Sequence, residues 1–520
     1  MKSLNLPALE AALNLLPIRF AGPGGVAVVV HEGKEVASRV WGYASLETHA
    51  RMTRRTRLPI CSISKQFTCG SILGEFGGTE ALEAVLPDFL PNFEGRRPTV
   101  RQLCDNQSGL RDYWAMTVLE GARAEQTFRR EDALPMVAAI RGGHFHPGAG
   151  YSYCNCNYRI LAELATAVSG KALEDLCRRH IWEPAGMATA VLAADTRHPV
   201  DSVTGYEGND AVGFLAADNG VYWTGDAGIS ASLDDMLAYE RWIDATREDE
   251  NSIYRRISAK PRFADGSAAR YGFGLAHDEI SGLAVTGHGG ALRGFRAHRL
   301  NARNERISVV VMFNHEADAH GAAVGLFRAG LGLAQPAGEA VASDWKGQWL
   351  CPTTGLLARL EPQGDMAKLR FATSPETLFQ TAEGRLESTD TIVERNGEAL
   401  RMRRLRDNLD TIMHPVPVVE MADAGEIAGD YVCAETGANL RIETHGGAAF
   451  VLFSGRFGEG RMEPVHPAGP DIWLVRTRRS MDAPAPGDWT LHISRDSSGR
   501  VSGAMLGCWL ARKLDYRRAA

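Results

Sequence analysis

No stretch of this 520-residue chain approaches the roughly 20 consecutive apolar residues that a membrane-spanning helix needs. The N-terminal segment has one early lysine, but Asn5, Pro7, Glu10 and Asn14 interrupt its apolar residues. Leu6, Leu9, Leu13 and Leu16 recur at helical spacing, which predicts an amphipathic helix packed on a domain rather than a targeting segment. Basic blocks are missing as well. The formal charge is −6, and the runs Arg403-Arg404 and Arg478-Arg479 read as solvated surface, so nucleic acid is not an expected partner and neither is a membrane. Nine cysteines, an odd number at irregular spacing, argue against a disulfide framework; reduced thiols and a cytoplasmic location are expected.

What remains is an ordinary soluble composition, 44% hydrophobic and 23% charged, on a chain too long for one core. GGVAVVVHEGKEVASRVWGYAS predicts a hairpin turning at Glu32-Gly33. A helix is expected from Ser62 to about Glu75, then mostly helical segments to about residue 250, and then strands that include Ile307 to Phe313. Early strands, middle helices and late strands fit an antiparallel sheet in which the N- and C-terminal strands pair under a cover of helices. Residues 333–344 read as a linker. Beyond them, short alternating strands with Gly, Asn and Asp turns signal small β-barrels or sandwiches. An internal echo divides this part in two. Trp345-Lys346-Gly347-Gln348-Trp349 leads to Thr354-Gly355-Leu356, as Ile427-Ala428-Gly429-Asp430-Tyr431 leads to Thr436-Gly437-Ala438.

Three short motifs could carry chemistry. In Ser62-Ile63-Ser64-Lys65, residues three apart share a helix face, so the lysine can reach the serine hydroxyl and act as its base if its pKa is depressed. Alone, the pattern also fits a helix start with Ser62 as N-cap. In Tyr151-Ser152-Tyr153-Cys154-Asn155, Tyr153 and Asn155 could face one cleft. A phenol near an ammonium loses its proton more easily and could pass one to a leaving amine, while the Asn155 amide could hold a substrate carbonyl and the lysine. The same residues also fit an aromatic loop packed on the core. In Thr286-Gly287-His288-Gly289-Gly290, the glycines let an edge strand approach an extended substrate, while His288 alone fits a structural histidine.

The order S-x-x-K, Y-x-N, H-x-G resembles the three motifs of penicillin-recognising serine enzymes, a family of β-lactamases, D-alanyl-D-alanine peptidases, esterases and D-aminopeptidases. Leu103-Cys104-Asp105-Asn106-Gln107-Ser108-Gly109-Leu110 and Gly225-Asp226-Ala227-Gly228 are similar to two further family segments, although Asn106 stands where a histidine is common. The resemblance covers about residues 10 to 330. It implies an α/β (α+β) sandwich of β-lactamase type with a helical subdomain, Ser62 as nucleophile, Lys65 as base and Tyr153 as proton donor. The oxyanion would be held by backbone N–H groups of Ser62 and of a residue near Gly290 or Ala291. Cys61 reads as a buried small residue. Cys154 and Cys156 are too few for a metal site, and neither metal nor cofactor is implied.

The expected division is a catalytic domain at 1–332, a linker at 333–344, one barrel at 345–418 and a second at 419–520. Family members that recognise a C-terminal carboxylate place a lysine where this chain has His288, although Arg293 lies close in sequence. D-Aminopeptidases of the family carry two barrels, the second sending a loop to the active site. Residues 478–488 look like that loop, which places Asp482 opposite a substrate ammonium. The implied activity is release of an unblocked N-terminal D-residue, D-Ala or another small one, from peptides, amides and esters. Such a loop should exclude bulky penicillins. Inhibition by small β-lactams and a homodimeric assembly stay open. The alternatives are a β-lactamase-like esterase or D-Ala carboxypeptidase, and a non-catalytic binder of peptidoglycan fragments.

Overall fold

The computed structural model describes residues 4–419, 421–477, 480–483 and 486–519. An eight-stranded antiparallel sheet organises its first part. The strands are β1 (Gly24–His31), β2 (Lys34–Ser45), β3 (Ala50–Arg51), β4 (Tyr271–Gly272), β5 (Leu275–Ile280), β6 (Leu283–Leu292), β7 (Phe295–Ala302) and β8 (Ile307–Phe313), in the order 3-2-1-8-7-6-5-4. The first and last long strands pair over Gly25↔Phe313 to His31↔Ile307, which closes the domain by joining distant parts of the chain. Glu32 and Gly33 both have positive φ, 51° and 71°, as a two-residue hairpin turn requires.

One face of the sheet is covered by α1 (Leu6–Arg19) and a helix over Ala319–Leu331, around a core that includes Leu9, Leu13, Val29, Val309 and Leu326. Leu6 departs from the expected apolar stripe: it lies in the first helical turn and is 45% exposed. The other face packs against the helical region, with α2 (Ser64–Phe76) and α3 (Asn155–Ser169) at its centre. No helix of the described residues is long and apolar enough to cross a membrane.

Two closed barrels follow. Eight strands between Gly347 and Pro415 form the first, shut by pairing Trp349 with Pro415. Eight strands between Gly429 and Arg518 form the second, with a further short strand, Gly458–Glu459, at its side. The echo in sequence is an echo in hydrogen bonds. Gly355 N–H donates to Cys351 O and Gly437 N–H to Cys433 O, each at 2.8 Å. Cys351 N–H donates to Leu356 O and Cys433 N–H to Ala438 O, each at 2.9 Å. The threonine hydroxyls accept from Leu356 and Ala438, at 3.3 and 3.1 Å.

The barrels do not hang free. Ala115, Val118 and Leu119, on a helix of the first domain, complete the core of the second barrel. Trp509, at a hairpin tip of the second barrel, is buried in the core of the first. Beside it the Leu510 carbonyl accepts from Asp112 N–H at 2.9 Å, so this tip also reaches the first domain.

Candidate active site

The chain enters the site on a short strand, Leu58–Pro59, paired with Ile229–Ala231. At Cys61 φ swings to +49°, a conformation costly for a non-glycine residue that turns the chain sharply. One 3-10 turn, Cys61–Ile63, then runs into α2, so the helix starts two residues later than expected. Ser62 therefore does not cap it. The turn points the Cys61 thiol into the core, where burial pushes its pKa up to about 12, and leaves Ser62 half-exposed. Its first backbone hydrogen bond is donated by Ile63 N–H to Ile60, one residue beyond Ser62.

Lys65 lies in the first turn of α2, fully buried. Its Nζ donates to Ser62 Oγ at 3.0 Å, to Asn155 Oδ1 at 2.8 Å and to the Asp226 carbonyl at 2.7 Å. Three acceptors match the three protons of an ammonium. Burial pulls its pKa down to about 8, with Asp226, Asp112 and Asp482 opposing.

Tyr153 completes the group. Its hydroxyl lies close enough to the Ser62 side chain to feel it electrostatically, and Lys65 Nζ lies 4.8 Å from its ring centre. Burial pushes its phenol well above the usual range. This corrects the expectation that the neighbouring ammonium eases its ionisation: desolvation outweighs the charge. Asn155 opens α3. Its Oδ1 faces the lysine, while its side-chain and backbone nitrogens donate to Asp112 Oδ2 at 2.8 and 2.5 Å. The amide is thus fixed as a holder of the lysine, with its nitrogen turned to Asp112 rather than to a substrate carbonyl.

The departure at Asn106 has a local reason. The residue adopts φ of +53°, which asparagine tolerates well, and its Oδ1 accepts from Cys154 N–H at 3.3 Å and Asn157 Nδ2 at 2.9 Å. Its carbonyl accepts from Ser152 N–H at 3.1 Å, so Asn106 pins the Tyr153 loop from behind.

His288 lies on β6. Its Nε2 shares a 2.9 Å hydrogen bond with Tyr271 Oη, and burial pushes its pKa down to about 3, so it is neutral at pH 7. Pairing of β5 with β6 stops at Gly287, while β7 continues alongside to Leu292. Among the described residues, His288, Gly289 and Gly290 thus form an edge with no strand on its other side. Gly290 is required here: a side chain would sit 2.4 Å from the Ile60 carbonyl oxygen, immediately before the Cys61 turn.

Asp482 arrives from the second barrel. Its carbonyl accepts from Arg293 N–H at 2.9 Å, just past the end of β6, and Met481 beside it is buried in the core of the first domain. Ser480 Oγ donates to its Oδ1 at 2.8 Å. Burial pushes the carboxyl pKa up to about 7, with Asp112 and Asp226 adding to the rise. Of the expected loop, Arg478, Arg479, Pro484 and Ala485 lie outside the described residues. Arg293 is committed elsewhere, its guanidinium held by Glu207 and by the carbonyls of Ala124 and Asp218.

Asp112, Asp226 and Tyr271 were not singled out from sequence. Asp112 has a readable signal, an N-cap before Tyr113–Leu119 that accepts from Trp114 and Ala115 N–H. Asp226 lies inside the quoted glycine turn, but its contact with the lysine is made by the backbone carbonyl, which no side-chain pattern displays. Its own carboxylate accepts from Tyr113 Oη at 2.8 Å.

Residues 18–333 match the β-lactamase family, and residues 339–517 match the family described as D-aminopeptidase, domain B. With the fold above, this defines the class: a serine hydrolase of β-lactamase type followed by a β-barrel region. The chain belongs to the D-aminopeptidase family, being 59% identical to a D-aminopeptidase of Cereibacter sphaeroides across 99% of this chain and 100% of that one. A D-aminopeptidase of Brucella canis is 46% identical, with full coverage of both chains. Among solved structures, a penicillin-binding protein homologue from Pyrococcus abyssi covers 78% of this chain and 100% of its own, with a TM-score of 0.56 and 18% identity, a likeness of fold alone.

Proposed function

We propose that this protein is a D-stereospecific aminopeptidase that acts through an acyl-enzyme on Ser62. The observation that carries the reading is the Lys65 hydrogen bond to Ser62 with the Tyr153 ring beside both, and Asp482 close enough for its charge to act on Lys65. An ammonium that gives up one proton keeps two for Asn155 and Asp226 and turns a lone pair toward Ser62 Oγ. A lysine pulled down to about 8 makes that state accessible near neutral pH. The serine then attacks the carbonyl of the first residue. The oxyanion is received by the backbone N–H of Ser62 and one from the free edge near Gly290 or Ala291. Tyr153, protonated by virtue of its burial, passes its proton to the departing amine and takes one back from Lys65. Water releases the D-residue in a second round.

Asp482 supplies the choice of substrate. A confined carboxylate pairs strongly with a free ammonium and leaves an acylated amine unpaired. The loop that brings it also narrows the cleft, so bulky penicillins are poor substrates while small β-lactams acylate Ser62. Nine free, buried cysteines suit a reducing compartment such as the cytoplasm. The test is hydrolysis of D-Ala-p-nitroanilide beside its L-form and its N-acetylated form. Cleavage of the D-form alone supports the reading, and equal rates on the acetylated compound overturn the role of Asp482.

A further inference from the structure

A cavity of about 420 Å³ opens beside Tyr153, His288 and Gly289 and has Thr389 and Asp390 of the first barrel on its wall. We infer that it is the subsite for the leaving group, taking an uncharged side chain, up to an aromatic ring, on the second residue of the substrate. This rests on the aminopeptidase reading above.

The direction follows from β6. Asp482 is tied to Arg293, at the far end of the strand, and the cavity meets the strand at Gly287 to Gly289. At about 3.3 Å per strand residue, these ends stand roughly 13 Å apart. A substrate laid along the free edge with its ammonium at Asp482 has its bond broken at Ser62, and its departing half then falls toward Gly289. Tyr153, the proton donor to that half, lines the same cavity. Tyr151 and Tyr271 stand around it, and Val324 closes the cavity from the helix on the other face of the sheet. The charges at the barrel side are balanced, since Asp278 and Asp390 share Arg406, and Arg270 donates to Asp390 at 3.0 Å; elsewhere on the wall Glu279 and Arg328 add one charge of each sign. Such a site favours a neutral side chain over either charge.

Two substrates separate this proposal from the reading beneath it. D-Ala amide releases ammonia and leaves the cavity unfilled; D-Ala-L-Phe fills it. Thr389 is exposed, so Thr389→Trp blocks the cavity without disturbing a core. Val324→Trp fills it from the opposite side. Each variant should lower kcat/KM for the dipeptide about tenfold or more while leaving the amide within about twofold. An unchanged ratio of the two substrates in Thr389→Trp, or an equal loss on both, overturns the subsite. A wild-type protein that cleaves neither substrate overturns the aminopeptidase reading instead.

Discussion

The two barrels share a closed eight-stranded form and a matching first loop, yet they meet the active site in opposite ways. The first grips it from outside. Its Asp407 carbonyl accepts from Tyr151 N–H at 3.3 Å, its Asn408 Nδ2 donates to the Ala149 carbonyl at 3.0 Å, and its Arg406 pairs with Asp278 on β5. These contacts fall on the loop of Tyr153 and on the strand beside His288. The second barrel enters the site: Met481 is buried in the first domain, and Asp482 stands where its charge reaches Lys65. The same architecture can thus hold the Tyr153 loop with backbone clamps or add a charge of its own. What differs is the length and docking of a loop, not the barrel.

The largest effect expected is at the centre both barrels serve. Ser62→Ala should lower kcat on every substrate by about 10⁴-fold or more, and retained turnover in a clean preparation would remove the mechanism for both barrels. Next comes the second barrel. Asp482→Asn should lower kcat/KM for D-Ala-p-nitroanilide about 100-fold while leaving the slow reaction of the N-acetylated form unchanged, so the gap between the two substrates closes. A loss shared by both would make Asp482 a structural residue.

The pH profile sharpens the same point. Asp482, pushed up to about 7, must be deprotonated to face a cation, and Lys65, pulled down to about 8, must be neutral to accept a proton. Both requirements fail as pH falls, so kcat/KM of the wild type should drop on the acid side in two steps. Asp482→Asn should retain only the lysine step, moved to lower pH because the Asp482 charge helps hold the Lys65 pKa up. A profile identical in the two proteins would separate Asp482 from the titration.

For the first barrel the expected effect is smaller and of a different kind. Arg406→Ala frees the barrel from Asp278 and loosens its hold on the Tyr153 loop. A small misplacement of a proton donor costs about tenfold in kcat, here on blocked and unblocked substrates alike, with D over L selectivity unchanged. Restoration of part of the rate by Arg406→Lys would point to charge rather than to the guanidinium fork. A selective loss on unblocked substrates would erase the contrast between the barrels.

How much of this was legible in the sequence depends on what each contact is made of. Ser62 and Lys65 are three apart on one turn, so their meeting is a local property that spacing displays. The sheet was readable because its central strands are nearly unbroken runs of β-branched and apolar residues bounded by turn residues. The second barrel's loop was readable from its position in a family pattern, although four of its residues lie outside the described structure. Contacts made by backbone atoms or between distant elements were not visible. The Asp226 carbonyl on Lys65, the Asp407 carbonyl on Tyr151 and the Leu510 carbonyl on Asp112 leave no mark on side-chain chemistry. Trp509 reads as one more aromatic in a strand-rich region, and only the fold shows it as the wedge that joins one barrel's tip to the other's core. The direction of the Tyr153 shift was also hidden, because burial rather than a charged neighbour decides it.

The smallest effect tests how far the likeness of the barrels goes. Gly355 and Gly437 occupy the same place in the echoed loop, with φ of 74° and 73°. A β-carbon at either position strains the backbone, so Gly355→Ala and Gly437→Ala should each cost about 1 kcal/mol, in the unfolding transition of the barrel that carries it. Space does not distinguish them much: a side chain at Gly437 meets nothing, and one at Gly355 meets only Met505 Sδ at 3.7 Å, ordinary contact. The Gly437 loop reaches the first domain through Glu435, which pairs with Arg111, but a side chain at Gly437 meets no atom of that pair, so kcat/KM should stay within about twofold for both. Equal costs measured in denaturant would show that one local design, repeated, is energetically the same in two barrels with different duties. A cost several times larger in the first barrel would mean that its hold on the second, through Met505 and the Trp509 tip, has made the repeated loop part of the interface.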